Sequence, residues 1–135
     1  MRHYEIVKIK ENGKIEIPLE FAYEIGLVKD SYFLIEIDTD LKEVHIERVA
    51  LPGKKLVEIE LVVEDKPGVL AKISGTLGRN KANILFSEAE ELEGIGLAAI
   101  VAVIDVSEMK ISLNELRKEL STVKEVKEVT LKALE

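Results

Sequence analysis

The stretch EDKPGVLAKISGTLGRNKANI, residues 64 to 84, holds the residue types best suited to meet a small polar ligand. Pro67 fixes its own φ and has no N–H, so it shapes a turn without adding an unsatisfied donor. Gly68 has no Cβ and lets another molecule approach the main chain closely. Val69, Leu70, Ile73 and Leu77 then fall at helical spacing,. The first-turn amides of such a helix lack intrahelical acceptors and carry partial positive charge, which suits a carboxylate. Asn83, sixteen residues after Pro67, opens the next strand-like run and is expected to face the same end of the sheet. Its side-chain amide can both donate to and accept from the polar groups of an amino acid. Both features also have plainer readings: Pro-Gly as a turn before a helix, and Asn83 as a residue that tolerates a left-handed turn.

Other groups make no catalytic or metal-ligating pattern. Ser74, Thr76 and Ser87 have no His or Lys set by a recognisable motif to activate them, and the sequence holds no nucleophile elbow, P-loop or Rossmann fingerprint,. With no cysteine, disulfides and thiolate zinc sites are excluded, and His3 and His45 are too few for a protein-only metal site,. The acidic run SEAEELEG, residues 87 to 94, lacks EF-hand spacing and reads as a strand with solvated glutamates,. The expectation is a protein that is not an enzyme and holds neither cofactor nor metal.

The elements that must position the turn come in two blocks. YEIVKIK (4 to 10) and KIEI (14 to 17) alternate like the strands of a hairpin around the turn signal ENG,. Pro18 opens a helix of about two turns that Gly26 caps, and SYFLIEID and EVHIERV read as two further strands,. LPGKK, residues 51 to 55, interrupts the pattern and is the expected linker between a domain at 1–50 and a domain at 56–135,. After it come the strand LVEIELVVE, the helix that begins behind Gly68, and the strands ANILFSEAEEL and GLAAIVAVIDV. A helix with a Ser112/Glu115 capping box and the closing strand VKEVKEVTLKAL complete the block,. Strand, helix, strand, strand, helix, strand is the ferredoxin-like βαββαβ order, with both helices on one face of an antiparallel sheet. The fold class expected is therefore α+β.

Composition narrows the partners. The chain has 135 residues, 47% hydrophobic and 33% charged, which suits a globular protein, and no apolar run approaches the roughly 20 residues that span a bilayer,. The start shows no signal-peptide core, so a cytoplasmic protein without membrane contact is expected. A net charge of -7 disfavours a generic polyanion binder,. Abundant Lys, Glu and Ile without Gln or Cys is a bias associated with hot environments,. Two domains this small are marginal alone, so a homodimer or higher homo-oligomer is expected.

The segment from Leu56 to Leu134 resembles the ACT domain, a regulatory module that senses amino acids and related small molecules. The DKPGVL turn, the helix AKISGTLGRN, the Asn-Ile pair and the complete element order carry that resemblance. It implies a ligand held between two ACT domains by the turn and by polar side chains. Carried over by position, Asp65 stands where serine-sensing members place a polar contact, and Asn83 matches their strand-opening Asn; Val63 stands where those members place a His. Asp65, Lys66, Pro67, Gly68, Val69, Leu70, Asn83 and Ile84 form the expected binding set, and a free amino acid or related small molecule is the expected effector.

Residues 4 to 49 resemble the AbrB/MazE-type swapped-hairpin domain, on Gly13, Lys14, Ile15, Ile17, Pro18, Gly26, Leu27, Lys29 and Asp30. The resemblance implies a small ββαββ barrel made by two chains exchanging hairpins, and DNA contact through basic side chains. Glu20 and Glu24 stand where arginines would be expected on the short helix, and residues 1 to 50 carry seven Lys and Arg against eleven Asp and Glu. Arg2, Lys8, Lys10 and Lys14 are the basic side chains left for DNA, with Lys8 and Lys10 on one strand face,. The leading expectation is an amino-acid-responsive transcriptional regulator. The alternatives are an ACT regulatory subunit whose acidic N-terminal domain binds a protein partner, and a structural oligomeriser that binds no ligand.

Overall fold

The structure, a computed structural model, describes residues 2 to 135. The chain separates into two compact units that divide between Gly53 and Lys54.

In the first unit, the helix α1 (Leu19–Glu24) is followed by the antiparallel strands β1 (Tyr32–Asp38) and β2 (Glu43–Ala50). Pro18 precedes α1 with φ -49° and ψ 133° and donates no N–H,. Gly26, at φ +72°, ends it. The Leu27 amide donates to the Ala22 carbonyl at 2.8 Å and the Gly26 amide to Tyr23 at 3.2 Å, the paired bonds of a Schellman stop,. The positive φ favours glycine there, and a Cβ at Gly26 would stand 2.6 Å from the Arg48 guanidinium, which would have to move aside,.

The expected hairpin of residues 4 to 17 is not formed. Only the turn at Asn12 and Gly13 appears, with the Lys14 amide donating to Glu11, and no strand is assigned from residue 2 to Pro18. Tyr4 and Ile6 are 91% and 93% exposed. The physical reason is that a two-stranded hairpin is marginal in water unless its apolar side chains meet a further surface. Among its described residues the first unit thus shows a two-stranded sheet and a short helix, and no barrel.

The second unit carries β3 (Leu56–Glu64), α2 (Val69–Arg79), β4 (Asn83–Leu92), β5 (Leu97–Asp105), α3 (Leu113–Ser121) and β6 (Val126–Ala133). Its four strands pair antiparallel in the order β4-β5-β3-β6. Val57, Ile59, Leu61 and Val63 alternate into one face of β3, where they pack with Ile100, Ala102 and Ile104 of β5,. Ile73 and Leu77 of α2 and Leu116 and Leu120 of α3 close that core. Burying a side chain of this kind is worth about 1.5–3 kcal/mol, so these two helical stripes hold the helices on the sheet. Ser112 caps α3 by accepting from the Glu115 amide at 3.1 Å, while its hydroxyl meets the Glu115 carboxylate at 3.2 Å,. This is the α+β ferredoxin-like arrangement.

Among the described residues the topology leaves both outer strands, β4 and β6, with an unpaired edge, and it fixes which residues share an end. β4 is an outer strand, hydrogen-bonded to β5 on one side, and among the described residues no strand lies along its other edge. β3 and β4 both run antiparallel to β5, so they point the same way. Asn83 and Leu56 both pair with Asp105, whereas Glu64 and Leu92 both pair with Leu97.

Candidate functional site

The turn that leaves β3 is held from both sides. The Glu64 amide donates to the Glu125 carbonyl at 2.8 Å, and the Asp65 amide donates to Gly96 at 3.0 Å. Gly68 is the residue before α2, with φ +85° and ψ -10°, a left-handed conformation that glycine adopts without steric cost,. A Cβ there would meet nothing within 4 Å, so the turn faces open space. No side chain caps α2 and no acidic residue lies in its first turn. The Val69 and Lys72 amides donate to the Lys66 and Gly68 carbonyls. Those of Leu70 and Ala71 precede any helical acceptor and are available to an anion.

Behind the turn lies a charge network. Lys66 and Lys127 stand 3.3 and 3.4 Å from the two carboxylate oxygens of Glu64, and Lys72 donates to Glu125 at 2.7 Å. The Lys66 contact is an ion pair without hydrogen-bond alignment, so Oε2 of Glu64, like Oε2 of Glu125, is shielded from water without an aligned donor. Lys66, and then Lys127, hold the Glu64 carboxyl below its ordinary pKa against the opposing effect of burial; Lys72 does the same for Glu125,. Lys72 therefore ties α2 to the start of β6 and steadies the helix whose N-terminus faces the turn.

The residues expected to bind the ligand fall into four groups. Asp65, Lys66, Pro67 and Gly68 are exposed around the turn. Val69 does not join them: at 3% exposure it belongs to the core and has no surface for a ligand. Val63, likewise in the core, offers no polar group.

Asn83 is the main correction. It is exposed, but at the opposite end of the sheet from the turn, because β4 starts where β3 starts. Its neighbour across β5 is Asp105, whose carboxyl burial raises but Ser107 hydrogen bonds and Lys54 hold below the ordinary range. The left-handed position in the α2–β4 connection is Lys81, at φ +58°, and Asn83 itself is in the strand. Within one chain Asn83 and the turn cannot touch one ligand. Ile84 and Leu70 are brought together instead, on the walls of a cleft between α2 and β4 that also includes Ser74, Ser87, Ile100 and Ala102. The serines were legible only as polar residues in amphipathic elements; nothing in their spacing marked a cleft.

In the first unit, Arg2, Lys8, Lys10 and Lys14 are all exposed. Lys8 and Lys10 share no strand face, since no strand forms there. They line an open groove of about 860 Å³ together with Glu11, Lys14 and Glu16, and Lys14 is ion-paired to Glu11 at 2.6 Å. His3 stacks on Phe21 with centroids 4.9 Å apart, and His45 meets Glu47 at 3.2 Å. Among the described residues no three His, Cys, Asp or Glu side chains gather as metal ligands, and no helix is long and apolar enough to cross a membrane.

Comparison with known proteins bears on the family and the fold. The profile of the ACT domain matches residues 57–124. A UPF0735 ACT domain-containing protein of Caldicellulosiruptor saccharolyticus is 33% identical over 130 residues, covering 94% of this chain and 82% of that protein. One from Clostridium kluyveri is 25% identical over 134 residues, covering 97% and 88%. The likeness to these relatives thus runs through both units. Among solved structures, a formyltetrahydrofolate deformylase from Pseudomonas syringae superposes with a TM-score of 0.53 at 14% identity, over 60% of this chain and 28% of that one. That is a likeness of fold.

Proposed function

The chain belongs to the ACT domain family, and on that premise we propose that it is a regulatory protein whose ACT domain binds a free amino acid at the turn from Asp65 to Gly68. One observation carries the reading: the uncapped first turn of α2 stands behind an outward-facing Gly68, an arrangement suited to a carboxylate,. Asp65, exposed on the same turn, suits the ammonium group,.

A single chain offers half of the polar site. Two copies joined antiparallel along their free β4 edges would exchange the ends of the sheet, bringing the partner's Asn83 beside the turn at the Glu64 end,. Two equivalent sites result, each built from the turn of one copy and Asn83 of the other. Ligand binding then acts on the pairing of copies, and affects the N-terminal units only to the extent that it favours one arrangement over another.

In the N-terminal unit we read the unpaired arm as half of a swapped hairpin. Tyr4 and Ile6 need a second surface, and a second copy's arm would supply it,. Arg2, Lys8 and Lys10 would then face DNA from both copies. A second reading, supported by Glu20 and Glu24 on α1 and by the pairing of Lys14 with Glu11, has this acidic unit grip a protein partner.

A thermal-shift screen of the amino acids tests the effector site, because a ligand selective for the folded state stabilises by about 2.7 kcal/mol at a hundred times its Kd. A screen in which no amino acid raises the melting temperature overturns it. A gel shift at low salt against a randomised DNA pool tests the DNA arm; failure to enrich any sequence favours the protein partner.

A further inference from the structure

The cleft between α2 and β4 has a volume of about 90 Å³. Leu70 and Ile84 form part of its walls and are 55% and 37% exposed, so it opens to solvent on that side. Ile100 and Ala102 are buried at its floor, and Ser74 on α2 faces the same space as Ser87 on β4. Short side chains make the gap: Ser87 and Ala102 are direct neighbours across β4 and β5, and Ser74 is the small residue that α2 presents to the cleft. Leu70 follows Gly68 by two residues, which places this wall about 3 Å along the helix axis from the turn, whereas Ile84 lies at the Asn83 end of β4, so a side chain enters the cleft past Leu70,.

We propose that this cleft seats the side chain of the effector, and that the effector is an amino acid with a branched aliphatic side chain of three or four carbons, the class of valine, leucine and isoleucine. The proposal rests on the reading of the turn as the amino-acid site and adds the ligand's chemical class. The volume selects the size. An apolar cavity of about 150 Å³ accommodates the six carbons of benzene, so 90 Å³ accepts about four at the same density,. Whole small molecules need clefts of roughly 300 Å³ or more, so the amino and carboxyl groups must remain outside. There the charges match: the first-turn amides of α2 face the carboxylate and Asp65 faces the ammonium,. A charged side chain in the cleft would lose its hydration against Ile100 and Ala102 without gaining a counter-charge. An aromatic ring would exceed the space.

Calorimetric titration of the full chain with glycine, alanine, serine, valine, leucine, isoleucine, phenylalanine, aspartate and lysine tests this. Each buried carbon strengthens binding about fourfold. Relative to alanine, valine is expected to bind about 15-fold tighter and leucine or isoleucine up to about 50-fold, with phenylalanine, aspartate and lysine weaker than valine. Ser74→Leu and Ser87→Leu fill the cleft from positions with exposed side chains. Each is expected to abolish the preference for valine over alanine, with the ligand-free melting temperature as the check that the variant is folded. If alanine, serine and valine bind alike and neither variant matters, the cleft is not the side-chain seat, while the turn stands as the amino-acid site. If the filled variants dissociate the oligomer in sedimentation and leave the ligand order unchanged, the cleft belongs to the contact between copies and the proposal fails. If no amino acid binds at all, both readings fall together.

Discussion

Two variants that each lose ligand binding are expected to recover it when mixed. The separation of the half-sites drives this prediction: β3 carries nine residues from Leu56 at the Asn83 end to Glu64 at the turn, about 27 Å at the rise of an antiparallel strand,. One amino acid contributes only about 3.6 Å of main chain, so no single ligand reaches both groups in one copy. Gly68→Val places a branched side chain at φ +85°, where an L-residue pays about 1–2 kcal/mol,. Space around the turn is open, so the core is undisturbed, but the new methyl groups stand before the α2 amides. Asn83→Ala removes a hydrogen bond to a charged ligand, worth about 1.5–3 kcal/mol, or a Kd roughly ten- to 150-fold weaker. In a mixed dimer one site joins both defects and the other joins an intact turn to an intact Asn83. Random re-pairing makes half of the dimers mixed, so about a quarter of all sites return to full affinity. The assay is calorimetry with valine after the two proteins are unfolded and refolded together, with stoichiometry as the readout. If Asn83→Ala alone binds normally, or if the mixture recovers no high-affinity sites, Asn83 does not complete the site across a pair of copies.

Acid should weaken the ACT unit through the carboxylates behind the turn. Glu64 and Glu125 have folded-state pKa values below the ordinary 4.5, so their stabilisation is present above that pH and is lost as pH falls through the lowered values,. Lys72→Met removes the Glu125 partner; its melting temperature is expected to lie below the native protein's at pH 7 and to converge with it once the pH has fallen below the lowered pKa of Glu125, and a constant gap at every pH would refute the assignment,. In the core, Leu116 is fully buried, so Leu116→Ala is expected to cost about 2–5 kcal/mol and to lower the melting temperature of this unit by roughly 10 °C or more,. Scanning calorimetry checks it, and a loss under 1 kcal/mol would mean that the α3–sheet contact is looser than its burial implies.

The ACT unit was legible because its signals are local and its partners lie in the same chain. The alternation of LVEIELVVE needs only β5 and the helices to bury Val57, Ile59, Leu61 and Val63, and all of these are supplied within 80 residues. Ser112 and Glu115 announce a helix start through atoms three residues apart. Register is a different kind of information. Whether Asn83 meets the turn depends on which way β4 runs beside β3, and with β5 between them two strands antiparallel to it point the same way,. The connection through α2 returns the chain to the start of the sheet before β4 begins, and counting residues from Pro67 cannot reveal that.

The first unit separates local preference from available partners more sharply. YEIVKIK has the alternation of a strand, yet Tyr4 and Ile6 stay exposed, and among the described residues the arm joins neither β1 nor β2,. Alternation states which side chains would share a face if the backbone were paired; it does not say where the pairing surface is. β1 and β2 form because each is the other's partner across a short turn, where the Asp38 carboxylate accepts from the Asp40 and Leu41 amides,. The arm has KIEI as its neighbour across the turn at Asn12 and Gly13, yet the two do not pair as strands. The arm's exposed apolar residues and the turn at Gly68 each leave a surface that one chain does not fill; on the proposed reading a second copy covers both, and a sequence read as one molecule does not show how.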